Sequence, residues 1–503
     1  MGKHVSPKSL GTSFCNLLVL LALLLQTCSN LAKAGSIVSS LPGFEGPLPF
    51  ELETGYIGVG ESEDVQLFYY FVKSESNPET DPLILWLTGG PGCSSFSGLV
   101  FEIGPIKFEP FLYDGSLPKL ILNSYSWTKV ASIIFVDQPV GTGFSYAKTA
   151  RASLSTTLKD SNQLYEFLKK WLLDHREFIA NPFYVAGDSY GGVMVPIVSQ
   201  LISNGNEVEA EPIINLKGYM VGNPGTTQGD GNYVVPHAHG LGLISNELYQ
   251  SLKDSCKGEY QRIDPRNALC LQHMQTYNQL LSGINYPQIL ERNCPAFWAG
   301  PTKKFGEERS TIEIYSQKIQ ELGFQERAPI TCRMEGYKLA YHWSNDKNVQ
   351  EALHVREGSI GEWERCNRSL SFMGDVESVV PYHANLSIKG YRSLVYSGDH
   401  DMIIPYLATQ AWIKSLNYQI IDDWRQWIVE DQVAGYTRTY ANKMTFATVK
   451  ARIPSFFSVV STLNIIVIEV ENTMINNATG SWSYCAGVQA QRMSRHDQKV
   501  DIL

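Results

Sequence analysis

Ser189 lies in "FYVAGDSYGGVMVP", residues 183 to 196, an apolar β-rich run that breaks at Gly187-Asp188-Ser189-Tyr190-Gly191 and resumes in a helix-compatible stretch. A serine at such a strand-to-helix turn can act as a nucleophile, because flanking glycines let the chain turn sharply and lift the hydroxyl above the strand edge. Free amides and the dipole at the helix start favour developing negative charge. On its own the pentapeptide fits equally a glycine-rich turn with no chemistry. Two other segments bear on it. "LWLTGGPGCSS", residues 85 to 95, follows another apolar run, and its Gly89-Gly90-Pro91-Gly92 turn either offers amides to an oxyanion or is a tight turn only. "VYSGDHDMIIPYLATQAWIKSL" puts Asp399 and Asp401 just past a late apolar run. A chain order of Ser, then Asp, then His would place the acid that orients the base there.

The elements that must hold these residues are short apolar runs: "LILWL" at 83 to 87, "IIFV" at 133 to 136, "FYVA" at 183 to 186, "GYMVG" at 218 to 222 and "SLVYSG" at 393 to 398. Helical patterns such as Leu154 to Trp171 lie between several of them, so the runs read as parallel strands joined by crossover helices. Covering both faces of such a sheet explains why the runs are continuously apolar. Upstream, "ETGYIGVGESEDVQLFYYFVKSE" reads as an antiparallel pair feeding the main sheet. From about Pro224 to about Arg333 the chain turns polar and scatters Cys256, Cys270, Cys294 and Cys332, which suits an inserted cap held by disulfides.

A chain of 503 residues is long enough for one large α/β domain with insertions or for two domains. Its 44% hydrophobic and 11% aromatic content argue against disorder, and a net charge of −9 without a basic stripe argues against a nucleic-acid partner. The first 34 residues, with Lys3 and Lys8 before an apolar run from Leu17 to Leu25 and then Ala32-Lys33-Ala34, fit a cleaved secretory signal. Nine apolar residues fall short of the ~20 that span a bilayer. The later apolar stretch from Phe456 to Val470 is interrupted by Asn464 and Glu469 and reads as a strand or poorly packed segment. No membrane span is therefore expected in the mature chain. Cleavage would leave seven cysteines for an oxidising compartment. Sequons at Asn367, Asn385 and Asn477 suit glycosylation on the same route.

Together, "WLTGGPGCSSFSGLVFEIGP", "VDQPVGTGFSYA", "NPFYVAGDSYGGVMVP", "YSGDHDMIIPYLATQAW" and "VAGYTRTYANKMTFATVK" resemble the plant serine carboxypeptidase-like family of α/β-hydrolases, from about Leu41 to Lys450. The resemblance implies an extracellular or vacuolar protein with a mostly parallel central sheet and an inserted cap, needing no cofactor or metal. It makes Ser189 the nucleophile, Asp401 the triad acid, and the amides of Gly90 and Tyr190 the oxyanion donors. Asp399 is taken as a turn residue. It also implies disulfides between Cys93 and Cys366, Cys256 and Cys270, and Cys294 and Cys332, leaving Cys485 over.

Peptidase members of that family bind the substrate's terminal carboxylate with an Asn before the Gly-Gly turn and a Glu before the nucleophile. Here those positions hold Thr88 and Asp188. The change resembles the branch that transfers acyl groups from glucose esters to alcohols, as in secondary metabolism. The resemblance thus implies acyl transfer, with hydrolysis of peptide C-termini as the alternative. After Lys450 the resemblance stops. The family's Gly-rich loop with its catalytic histidine and its closing helix are replaced by residues 451–503, where His496 in "MSRHDQK" is the only histidine. His237, His239, His273, His342, His354, His383 and His400 fall in cap, turn or surface segments and read as structural. A third expectation follows, a catalytically incompetent member of the family.

Overall fold

The computed structural model describes residues 35–293, 330, 333–429 and 431–450. The expected signal segment 1–34 and the expected divergent tail 451–503 lie outside them, as do Cys294, Cys332, Asn477 and much of the expected cap's second half. Eleven strands form the main path of the sheet: β1 (Gly35–Val38), β2 (Leu52–Val59), β3 (Val65–Val72), β4 (Leu83–Leu87), β5 (Ser132–Val136), β6 (Phe183–Asp188), β7 (Leu216–Gly222), β8 (Arg392–Gly398), β9 (Ile420–Val429), β10 (Gln432–Tyr440) and β11 (Met444–Val449). They run in the order β1-β2-β3-β5-β4-β6-β7-β8-β11-β10-β9, and the short strand Tyr146–Ala147 pairs with β3 off that path. From β5 through β4, β6, β7 and β8 to β11 every pairing is parallel, and both ends are antiparallel. This is the α/β-hydrolase architecture expected from the sequence.

Alternate side chains of the central strands enter two separate cores. Ile84, Trp86, Phe135, Ala186, Met220 and Leu394 face one. Leu83, Leu85, Leu87, Val185, Val221 and Val395 face the other, against helices α1 (Thr157–Asp174) and α2 (Gly191–Glu207). The continuous apolar runs are thus two alternating patterns superposed, as a sheet covered on both sides requires. Helix α1 begins at Thr157 rather than near Leu154, because Ser155 and Thr156 pair instead with Phe372 and Met373. The Thr156 hydroxyl then caps the helix by accepting from the Lys159 amide.

Beyond β7 the chain leaves the sheet for α3 (Val234–Gly240), α4 (Asn246–Cys256) and α5 (Ala268–Leu281). A disulfide joins Cys256 to Cys270, across the α4–α5 turn. The sequence reading of this insert as a polar cap held by disulfides undercounts its packing. Val235, Leu252, Tyr277 and Leu281 form a small apolar cluster of their own, joined by Met402 from the loop after β8. The Met402 amide also donates to the Tyr286 carbonyl at 2.8 Å, so the insert grips the loop that carries Asp401. Replacing Cys256 and Cys270 by serine opens a covalent loop of about 15 residues, and in the chain-entropy model this costs about 3 kcal/mol. We expect a lowered urea midpoint for the double variant, read by unfolding of the purified chain. An unchanged midpoint would mean that the apolar cluster alone holds the helix pair.

Candidate active site

Ser189 sits at the carboxyl end of β6 with φ +53°, a left-handed conformation that costs a non-glycine residue energy and persists only where neighbours over-determine it. Three backbone bonds do so: the Ser189 amide donates to Gly222 O, and Ser189 O accepts from the amides of Gly192 and Gly225, each at 2.9 Å. The end of β4 presses against the same turn. A methyl group at Gly187 or at Gly191 would lie 2.3 Å from Leu87 O, and one at Gly89 would lie 2.6 Å from the Ser189 Cβ. Both glycines of the pentapeptide therefore answer a single neighbouring carbonyl. Gly90 has φ +130°, which also demands glycine. Among the described residues no hydrogen bond engages the amides of Gly90 or Tyr190. Tyr190 is fixed through its side chain, whose hydroxyl lies 2.8 Å from Thr157 Oγ1.

The turn after β4 is tied down by the disulfide between Cys93 and Cys366, flanked by Ser94 N donating to Arg365 O and Asn367 N donating to Gly92 O. Asn367 is half-buried and its Nδ2 donates to Gly141 O, whereas Asn385 is exposed on the helix Val380–Ile388. Thr88 is buried, and its Oγ1 accepts from Trp86 Nε1 at 3.1 Å. Asp188 Oδ1 accepts from the Gly89 amide at 3.2 Å. Beside them stands Glu102, which the sequence reading missed although it is the one charged side chain in residues 86–105. Burial, and then the Asp188 carboxylate, push the Glu102 carboxyl well above its usual range, with Arg365 opposing. Burial likewise pushes Asp188 up to about 6, against the pull of the Gly89 amide and Arg365. Two carboxyl groups so placed favour holding a proton between them.

Asp401 lies in the loop after β8 and accepts from the amides of Ile403 and Ile404 at 2.6 and 3.2 Å. Burial nevertheless pushes its carboxyl up to about 7. Asn223 joins this loop to the nucleophile turn: its amide donates to Tyr396 O, its Oδ1 accepts from the Gly398 amide, and it follows Gly222, the acceptor of the Ser189 amide. Asp399, expected as a turn residue, also pairs with its neighbour, His400 Nδ1.

Among the described residues no histidine bonds the Asp401 carboxylate, and none bonds the Ser189 hydroxyl. Most of the other imidazoles are engaged elsewhere: His239 with Asn246, His273 with Ser255, His354 with Thr54, His383 with Tyr219 and His342 stacked on Tyr113, whereas His237 packs against Tyr406 and reaches the backbone of Asp401 rather than its carboxylate. A further one that the sequence reading passed over, His175, is buried against Glu53 and Trp171. The arrangement therefore offers a half-buried strained serine, unengaged amides and a desolvated acid, with no imidazole bonded to either side chain among the described residues. No group of three or more metal-ligating side chains occurs among them either.

Residues 42–451 match the serine carboxypeptidase family. Serine carboxypeptidase-like 7 of Arabidopsis thaliana is 52% identical over 442 residues, which cover 88% of this chain and 94% of its own. Serine carboxypeptidase-like 2 of the same plant is 53% identical over 436 residues, covering 86% and 92%. A solved prohormone-processing carboxypeptidase from Saccharomyces cerevisiae shares the fold, with a TM-score of 0.66 at 19% identity over 88% of this chain and 96% of its own. The glycine contacts yield a direct test. Gly187→Ala should destabilise the chain by roughly 1–3 kcal/mol or more, because its methyl meets backbone rather than a yielding side chain. Gly361→Ala, which meets open space, should be nearly neutral in the same urea titration. Equal stabilities would mean that the β4–β6 approach is looser than described.

Proposed function

The chain belongs to the serine carboxypeptidase family, and from that premise we propose that it works through an acyl-serine at Ser189, taking the acyl group from a glucose ester and passing it to an alcohol. Ser189 Oγ attacks the ester carbonyl and gives up its proton. The tetrahedral oxyanion lies toward the amides of Gly90 and Tyr190, and collapse expels glucose, which takes the proton. An alcohol oxygen then attacks the acyl group, loses its own proton, and frees the serine. The same intermediate with water as acceptor and a peptide as donor gives carboxypeptidase action, the alternative.

Thr88 and Asp188 carry the preference for acyl transfer. An amide side chain in place of Thr88 would extend a donor toward a substrate carboxylate, whereas the Thr88 hydroxyl is already the acceptor of the Trp86 indole. Asp188 is a methylene shorter than Glu and is drawn back onto the Gly89 amide. A terminal carboxylate therefore meets a weakened clamp, while an uncharged ester loses nothing. The secretory route, with an extracellular or vacuolar destination, fits the two disulfides and the leader-like first 34 residues. No described helix is long and apolar enough to cross a membrane.

The tail limits turnover. A serine hydroxyl is a weak nucleophile until a base takes its proton, and the same imidazole must protonate the leaving group. Losing it from a serine triad costs on the order of 10⁶ in kcat, about 8 kcal/mol of barrier. We therefore expect residues 35–503 to react slowly with a serine-directed fluorophosphonate. A chimera carrying a family-type histidine loop and closing helix after Lys450 should react fast. Equal labelling of Ser189 in the two would mean that this chain has recruited another base.

The active chimera also tests the donor class. Glucose esters of aromatic acids should be consumed in preference to peptides with free C-termini. Thr88→Asn with Asp188→Glu should raise kcat/KM for peptides, since each restored hydrogen bond to a charged group is worth ~1.5–3 kcal/mol. Peptide turnover that exceeds ester turnover in the parent chimera would favour the carboxypeptidase alternative.

A further inference from the structure

At the edge of the sheet opposite Ser189, where the parallel strands begin, a cavity of about 550 Å³ opens between the ends of β4, β6, β7, β8 and β11. Its charged lining is entirely cationic: Lys217, Lys389, Arg392 and Lys443, with the rings of Tyr184 and Tyr391 beside them. No carboxylate lines it, although the chain as a whole carries a net charge of −9.

Sheet register explains how the cations come together. Lys217 is the second residue of β7, Arg392 opens β8 and pairs with Gly218, and Lys443 directly precedes Met444, the partner of Ser393. Three neighbouring strands, each ~4.8 Å from the next, thus begin with a positive side chain at one edge. Lys389 has an ordinary explanation. It follows the helix Val380–Ile388, where a cation complements the dipole, and its Nζ pairs with Glu207 at 2.7 Å and with Asn204 Oδ1 and Ser203 Oγ. The other three have none. Strand ends carry little net dipole to offset, and among the described residues Lys217, Arg392 and Lys443 form no ion pair.

We propose that this cavity binds a small organic polyphosphate, whose charges the three unpaired cations of β7, β8 and β11 neutralise and whose carbon ring packs beside Tyr184 and Tyr391. Three converging cations suit a compact ligand with two or more phosphate groups better than a single monoanion. The volume falls within the range of small-molecule pockets, roughly 300–1,000 Å³. The site is independent of the nucleophile turn and of how the acyl-transfer question is answered.

Calorimetric titration of the full chain with inositol hexakisphosphate at low ionic strength tests the proposal, with inorganic phosphate as the second probe. Saturable one-to-one binding is expected, weakening as salt is added. Lys217→Gln, Arg392→Gln and Lys443→Gln should each lower the affinity roughly tenfold or more, as loss of a charge-assisted contact implies. Lys414→Gln, an exposed lysine on the helix Tyr406–Ser415, should leave it unchanged. Absence of saturable binding by the parent chain would overturn the proposal. So would a triple variant that binds as tightly as the parent, or inorganic phosphate binding as tightly as the polyphosphate. Should the Arg392 variant melt early, the Lys217 variant decides alone, because that side chain is exposed and bears no structural contact in the sheet core.

Discussion

The close passage of β4 beside the Ser189 turn is the constraint on which the rest of the molecule is arranged. Leu87 O stands where side chains at Gly187 and Gly191 would project, and Gly89 meets the serine's own Cβ. Such an approach is possible only if β4 and β6 are parallel neighbours in one register, which they hold from Phe183 beside Leu83 to Gly187 beside Leu87. Parallel neighbours in turn need crossover helices, and those helices need a second apolar face on the sheet. The strained φ of Ser189 is thus held by a stack of requirements that runs from one carbonyl to the two-sided core.

Electrostatics at the same edge follows from that packing. The carboxyl groups of Glu102, Asp188 and Asp401 all stand above their ordinary range, and in each case burial is the first cause. The compensating donors are backbone amides of the turns: Gly89 for Asp188, Ile403 and Ile404 for Asp401. Turns shaped by glycine and by the insert's grip on Met402 therefore tune the acids as well as place them.

Legibility in the sequence followed the range of the interaction. The five strand runs were readable because apolar continuity reports double-sided burial, and the Ser189 turn because its glycines mark a steric demand within five residues. The start of α1 was not, since Ser155 and Thr156 are drawn away by partners more than two hundred residues later. Glu102 was visible only as a charge in an apolar motif, and its proximity to Asp188 belongs to the fold. The pairing of His400 with Asp399 left no pattern either, because adjacent polar residues in a loop give no period to read. The small core of the insert went unnoticed for a related reason: Val235, Leu252, Tyr277 and Leu281 are spread over three helices, each of which contributes only one or two of them.

The state of Asp401 bears on the role proposed for a base beside it. A carboxyl shifted up to about 7 by burial holds its proton through much of the weakly acidic range. An imidazolium hydrogen-bonded to it would favour the ionised form and draw that value down, as an opposite charge within contact distance does. The cation acting on Asp401 among the described residues is Arg333, and Arg333 is already paired with Glu291 at 2.6 Å. The acid is thus desolvated with no imidazole bonded to its carboxylate among the described residues. In a serine triad the buried acid stabilises the charge that forms on the base, so among the described residues the cost of desolvating Asp401 stands with no imidazole charge set against it.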